Sequence, residues 1–154
     1  MVRPILEYCN VIWSPHLKKH HKMIEIIQKR ATRLIRGYAL LTYADRLKAL
    51  NITTLYYRRR RADLIQVFRI MSNIDCISFD DFFELDKGIT RGSDRKLIKP
   101  RAVTSIRLHS FSHRVINDWN ELPNRVVMSI TVNSFKSNLE SFWKDKSFKF
   151  VFDF

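Results

Sequence analysis

Cysteine, glycine and proline are all scarce in this sequence, at two, three and four residues in 154. Two unpatterned cysteines, Cys9 and Cys76, exclude a disulfide scaffold and predict a reducing interior in which cysteine acts as a small hydrophobe. The shortage of glycine and proline excludes collagen-like and low-complexity chains. Acidic residues are also few, fifteen Asp and Glu against 28 Lys and Arg, leaving a formal charge of +13. No apolar run reaches the roughly 18 to 20 residues that a membrane-spanning helix needs. The N-terminus, MVRPILEYCNVIW, is interrupted by Arg3, Glu7 and Asn10 and lacks the basic leader and small-residue cleavage site of a signal peptide. These absences predict a soluble chain, nuclear or cytoplasmic, with no membrane partner.

What is present predicts a packed core: 45% of residues are hydrophobic and 12% aromatic, enough for one ordinary domain or two small ones. The charge is uneven. Residues 1–70 carry 15 basic and 4 acidic residues (+11), whereas 71–154 carry 13 and 11 (+2). So large an excess favours polyanions through attraction and counterion release, which makes nucleic acid the leading partner class.

Hydrophobic periodicity predicts an all-α fold of five or six helices with little or no sheet. Val2, Ile5, Leu6, Cys9, Ile12 and Trp13 form one helical stripe, with Glu7 and Asn10 facing away. A chain that opens directly on such a helix reads as cut from something longer. Ser14-Pro15 and Gly37 bracket a second helix, with Leu17, Ile24, Ile27, Ala31 and Leu34 as its buried stripe and Lys18, Lys22, Lys29, Arg33 and Arg36 on its other face. Thr42 with Asp45 opens a short helix through Leu47 and Leu50, and Thr53 or Thr54 caps a long one running to about Ser72. Periodicity fails over 73–101, read as a lid or connector with a short strand at 96–99. It returns over 105–119 and at Phe135, Leu139, Phe142 and Trp143. The expected division is therefore a basic helical subdomain (1–72), a connector (73–101) and a helical C-terminal region (102–154).

Several constellations invite a catalytic or metal-binding reading. Tyr43-Ala44-Asp45-Arg46 is close to the Tyr-Ala-Asp-Asp tetrad of reverse transcriptases, but a two-metal site needs clustered carboxylates to hold ions roughly 3.5 to 4 Å apart. Here the second carboxylate is replaced by Arg46, so the helix-capping reading of Asp45 is preferred. His16 with His20, and His109 with His113, have the i, i+4 spacing of metal ligands without a third ligand nearby, and exposed histidines are the simpler reading. No nucleophile motif or phosphate-cradling glycine loop is present. The expectation is no catalytic residue, no metal site and no small-molecule substrate.

The run Arg58-Arg59-Arg60-Arg61 sweeps most of a helix circumference, so its members cannot share one ligand. With Leu64 at the centre of the buried stripe, beside Tyr57, Phe68 and Met71, Arg58, Arg59 and Arg69 are placed outward as phosphate contacts, and Gln66 is exposed. Arg60 and Arg61 flank the core, with Asp63 pairing with Arg60. Trp13, Trp119 and Trp143 are expected as core or helix–helix anchors, base stacking being the lesser reading.

In order along the chain, VRPILEYCNVIWSPHLKK, IQKRATRLI, YADRLKALNI, YRRRRADLIQVFRIM, DDFFEL, RVINDWNELPNRVV and VNSFKSNLESFW resemble the C-terminal part of the endonuclease/reverse transcriptase proteins of LINE-type (non-LTR), jockey-like retrotransposons. The resemblance implies that residues 1–72 correspond to the polymerase thumb and the helices after it, with endonuclease, fingers and the magnesium-binding palm lying upstream. It implies a fragment that grips RNA/DNA template-primer without catalysing synthesis, needs no cofactor of its own, and meets the rest of the polymerase. The family's run is commonly Arg-Arg-x-Arg-Gly-Asp; here Arg60 and Ala62 depart from it, a sign of eroded packing. Two other readings stay open: an element-derived helical protein-interaction module, and a non-functional pseudogene product exposing apolar surface at Ile5, Ile12 and Trp13.

Overall fold

A computed structural model describes residues 3–86, 95–144 and 146–151. Val2 of the first stripe and residues 87–94 of the expected connector lie outside the described residues. The fold is all-α. Among the described residues are eight helices: α1 (Arg3–Glu7), α2 (Lys18–Arg33), α3 (Tyr43–Ala49), α4 (Leu55–Met71), α5 (Ser105–Leu108), α6 (Phe111–Asn120), α7 (Asn124–Val127) and α8 (Val132–Phe142). Short 3₁₀ turns occupy Phe79–Asp81 and Ser147–Lys149. The expected strand at 96–99 is reduced to one antiparallel bridge, Leu97 to Leu85. No described helix is long and apolar enough to cross a membrane.

The helix count exceeds the expected five or six because α5 and α7 are single turns, too short to leave a period in the sequence. The periodic stretch 105–119 is in fact α5 and α6, separated at His109 and Ser110. α1 stops at Glu7 rather than continuing to Trp13, since Cys9 takes a left-handed φ of 48° that a helix cannot accommodate. α2 begins at Lys18, three residues beyond Pro15, with Leu17 at its N-cap and no side-chain cap. It ends at Arg33, just before Gly37, whose φ of +88° turns the chain. α3 starts as expected: Thr42 Oγ1 accepts from Asp45 N at 3.3 Å, which satisfies one of the orphan amides of its first turn. Thr54 does the same for α4 through Tyr57 N, at 3.2 Å.

The chain divides into two compact units, and the boundary falls inside α4. Unit 1 is 1–61 with 144–154, and unit 2 is 62–143. Unit 2 has an ordinary apolar core. Leu64, Val67 and Phe68 of α4, Val115, Ile116 and Trp119 of α6, and Phe135 and Leu139 of α8 are all buried. Phe135 stacks on Phe68 with ring centroids 4.5 Å apart, and on Trp119 at 5.9 Å. A capping box built from Thr131 and Ser134 fixes the start of α8, so that Phe135 enters this core in its first turn.

Unit 1 is organised differently, by polar groups. Glu25, Gln28 and Thr32 form the buried face of α2, while Leu17, Ile27 and Leu34 of the expected apolar stripe are exposed and Ile24 and Ala31 only half-buried. At about 100° per residue the helix is turned by roughly one residue from the orientation that apolar periodicity predicts. Hydrogen bonding accounts for the turn. The Glu25 carboxylate accepts from Leu55 N at 3.0 Å, capping the N-terminus of α4, and also accepts a hydrogen bond from the Tyr43 hydroxyl. Gln28 Nε2 donates to Tyr43 Oη at 2.9 Å and to Thr53 O at 3.1 Å. Hydrogen bonds to a charged acceptor are worth about 1.5–3 kcal/mol each, enough to offset the exposure of one or two aliphatic side chains. Burial raises the Glu25 carboxyl above its ordinary range, with the Tyr43 and Leu55 donors opposing that rise.

Candidate nucleic-acid interface

Three expected phosphate contacts lie on or beyond α4, and for two of them the structure overturns the outward placement. Arg58 forms an ion pair with Glu7, and its side chain is only 11% exposed. Arg59 is 3% exposed: it donates to Leu6 O at 3.1 Å, and its guanidinium sits 5.3 Å from the centroid of the Trp13 ring. The reason is covering. The segment 6–13 folds back over this side of α4, which a local helical projection cannot foresee. Arg60 flanks the core as expected, lying over the Phe148 ring at 4.7 Å and the Tyr56 ring at 5.7 Å. The arginines at 58–60 are therefore staples that hold the N- and C-terminal segments of unit 1 to the first turns of α4.

Arg69, in unit 2, keeps 40% of its side chain exposed but is paired with Asp75, which also accepts from Gln66 Nε2 at 2.7 Å. That pair closes the turn after α4 and holds the Asp75 carboxyl below its ordinary range, principally through the Arg69 hydrogen bond. Gln66, expected as exposed, is half-buried for the same reason. Asp63 pairs with Arg114, through two parallel contacts of 2.8 Å. This fork joins α4 to α6 within unit 2.

The cations expected on the α2 face are exposed, although Arg36 lies past the end of that helix. Lys18, Lys22, Lys29, Arg33 and Arg36 are all exposed. Lys22, Lys29, Arg33 and Arg36 have no side-chain hydrogen bond or ion pair to any described residue. Helical geometry places Lys18, Lys22, Lys29 and Arg33 within a stripe about 60° wide; Arg36 follows three residues past the end of the helix, and Arg30 is exposed beside the stripe. The one carboxylate of α2, Glu25, is turned inward to α4, so every exposed charge on this helix is positive. Unit 1 as a whole has 17 Lys and Arg against five Asp and Glu, a formal +12, whereas unit 2 has 11 against 10.

The metal-like constellations take structural roles. Asp45 sits in the first turn of α3, its backbone N–H donating to the capping Thr42 and its carboxylate accepting from the Thr42 hydroxyl at 2.5 Å. Among the described residues, no group of three or more His, Cys, Asp and Glu side chains is close enough to hold an ion. Each histidine pair straddles a helix boundary, since His16 precedes α2 and His109 separates α5 from α6. His113 is buried with neither ring nitrogen hydrogen-bonded, and burial lowers its pKa, helped by Arg107 and Lys99. Cys9 and Cys76, expected as small hydrophobes in an interior, are both exposed free thiols. Trp119 and Trp143 are core residues as anticipated, whereas Trp13 is half-exposed and its Nε1 donates to Tyr8 O at 2.6 Å.

Sequence reasoning missed Arg46. It is almost fully buried in α3 and donates to Leu41 O at 2.6 Å, Thr32 Oγ1 at 3.3 Å and Lys29 O at 3.4 Å. The signal was available in the tetrad, where an arginine stands at a position one residue before the buried Leu47. Comparison with known proteins finds no matching family model, no matching curated protein and no matching solved structure.

Proposed function

We propose that this chain is a C-terminal, thumb-like portion of a LINE-type reverse transcriptase, and that it grips template-primer nucleic acid through the phosphate backbone along α2. The observation that carries the reading is the all-positive exposed arc of α2, made so by the inward turn of Glu25. Lys18, Lys22, Lys29, Arg33 and Arg36 are the phosphate contacts. Arg58 and Arg59 are withdrawn from that role and Arg69 is secondary, because each already has a partner within its own unit. The sequence resemblance supplies the family and the template-primer ligand. Chemistry of strand synthesis belongs to the palm upstream, with its magnesium, and this portion contributes grip rather than catalysis.

Five phosphate contacts predict a log–log slope of affinity against salt of about −3 to −5. Filter binding of an RNA–DNA hybrid across a salt series measures it; a slope near zero refutes backbone binding. A second reading, a protein-interaction module, is favoured by one observation: Ile5, Ile12, Met23, Ile27 and Leu34 of unit 1 are exposed. Association with a protein that survives nuclease and high salt would support it, and the missing remainder of the polymerase would be the natural partner for that surface.

A further inference from the structure

Between α2 and α3, within unit 1, lies a cavity of about 580 Å³. That is well inside the roughly 300–1,000 Å³ range of ligand pockets. Its lining includes Lys29, Arg30 and Arg33 from α2, Arg46 and the Tyr43 ring from α3, and Leu41 from the loop between them. None of the lining residues is acidic. The acids bonded to its walls are already engaged, Glu25 with Tyr43 and Leu55 N, and Asp45 with Thr42.

Arg46 makes this cavity unusual. The residue is 4% exposed, and the hydrogen-bond partners of its guanidinium are three neutral oxygens. A buried charge without a counter-ion is costly, and an anion in the adjoining cavity relieves that cost. Lys29, Arg30 and Arg33 at the rim have no side-chain partner among the described residues, so four cations converge on one space with nothing to neutralise them. Guanidinium groups match phosphate oxygens with paired N–H donors. The cavity exceeds what one anion fills, and apart from Thr42 its remaining walls are apolar or aromatic, with the Tyr43 ring fixed by the bond from its hydroxyl to Glu25. A flat, apolar body attached to a phosphate satisfies both halves.

We infer that the α2–α3 cavity binds a nucleotide unit, its phosphate held by Lys29, Arg30, Arg33 and Arg46 and its base or sugar against Tyr43 and Leu41. The unit comes either from an unstacked position of a bound strand or from a free nucleotide. The choice of a nucleotide over other phosphorylated ligands rests on the nucleic-acid reading of α2, and the two are separable by experiment.

The ¹⁵N-labelled chain is titrated with adenosine 5′-monophosphate and, separately, with adenosine, and amide shifts are followed by NMR. Saturable shifts confined to residues 29–33 and 41–46 are expected for the monophosphate and not for adenosine, with inorganic phosphate competing. Arg30→Ala, on the exposed rim, weakens binding by about tenfold, the loss of one charge-assisted contact. Arg46→Gln does the same if its amide dispersion shows it folded; if it does not fold, Arg30→Ala decides. Absence of saturable shifts, equal shifts with adenosine, or unchanged affinity in Arg30→Ala overturns the assignment. Displacement of the monophosphate by a single-stranded oligonucleotide identifies an unstacked strand position as the source, and failure to displace identifies the free nucleotide; both support the pocket. Missing monophosphate shifts alongside steep salt-dependent strand binding sink the pocket alone, whereas intact shifts without strand binding sink the backbone reading alone.

Discussion

Two units of similar size within one chain solve the problem of burial in opposite ways. Among the described residues, unit 2 buries fifteen hydrophobic side chains and two polar ones, Asp63 and His113. Unit 1 buries three hydrophobic side chains, Leu47, Leu55 and Tyr57, against seven polar ones that include Glu25, Gln28, Arg46 and Arg59. The first arrangement draws stability from apolar area and ring stacking. The second depends on hydrogen bonds aimed at helix ends and chain crossings, and leaves aliphatic side chains of α2 in solvent. The exposed surface of α2 is in consequence both cationic and apolar.

The sharpest way to probe this contrast is to cut the apolar core of unit 2. Phe135→Ala removes a fully buried ring stacked between Phe68 and Trp119, and should cost about 3–5 kcal/mol in urea unfolding. A loss below about 1 kcal/mol would mean that unit 2 is not held by its core. The counterpart in unit 1 is Glu25→Ala. It deprives Leu55 N and the Tyr43 hydroxyl of their acceptor, for an expected cost of about 1.5–3 kcal/mol. Hydrogen exchange should then accelerate first at the α4 start, around residues 55–57. If apolar substitution there is instead stabilising and leaves exchange unchanged, the polar-centre account of unit 1 fails.

Within unit 1 the dependence on pH is weaker but has a defined sign. Burial, with Arg59 adding to it, lowers the His21 pKa from 6.5 to about 4. The unfolded chain therefore binds the proton more readily between those values. The His21 contribution is complete above pH 6.5 and is lost as pH falls toward 4. Glu25 works the other way, since its raised pKa favours the folded form at low pH and loses that advantage as pH rises. Melting temperatures at pH 7 and pH 5 should fall less in His21→Gln than in wild type; an equal fall would remove His21 as a contributor. The smallest effect belongs to Arg69→Ala. An ion pair whose arginine is 40% exposed contributes less than about 1 kcal/mol, so chemical denaturation should barely move.

Local features of the sequence translated well into structure. The Thr42–Asp45 cap, the Tyr57, Leu64 and Phe68 stripe of α4, and Phe135 and Leu139 of α8 all occupy the places that periodicity and capping rules assign. Those rules work where one helix face meets an apolar core. They failed for the N-terminal stripe and for α2, where the buried groups are polar: Asn10 and Glu25 are inside, and Ile12 and Ile27 outside. Apolar periodicity carries no information about a carboxylate recruited to cap another helix thirty positions away. The site was half legible for the same reason. The exposure of Lys22, Lys29 and Arg33 could be read from one helix, whereas the fate of Arg58 depended on Glu7, 51 residues away, and that of Arg59 on Leu6 and Trp13. Such crossings are tertiary facts.

The central claim is that phosphate contact lies on α2 and not on the arginine run of α4. It is tested by measuring salt slopes of hybrid binding for Lys22→Ala/Lys29→Ala/Arg33→Ala/Arg36→Ala alongside Arg58→Ala/Arg59→Ala. The account predicts that the α2 variant flattens the slope by about three to four units, near one per phosphate. The α4 variant should keep the wild-type slope while unfolding more easily. An unchanged slope in the α2 variant, with flattening in the α4 variant, would contradict it.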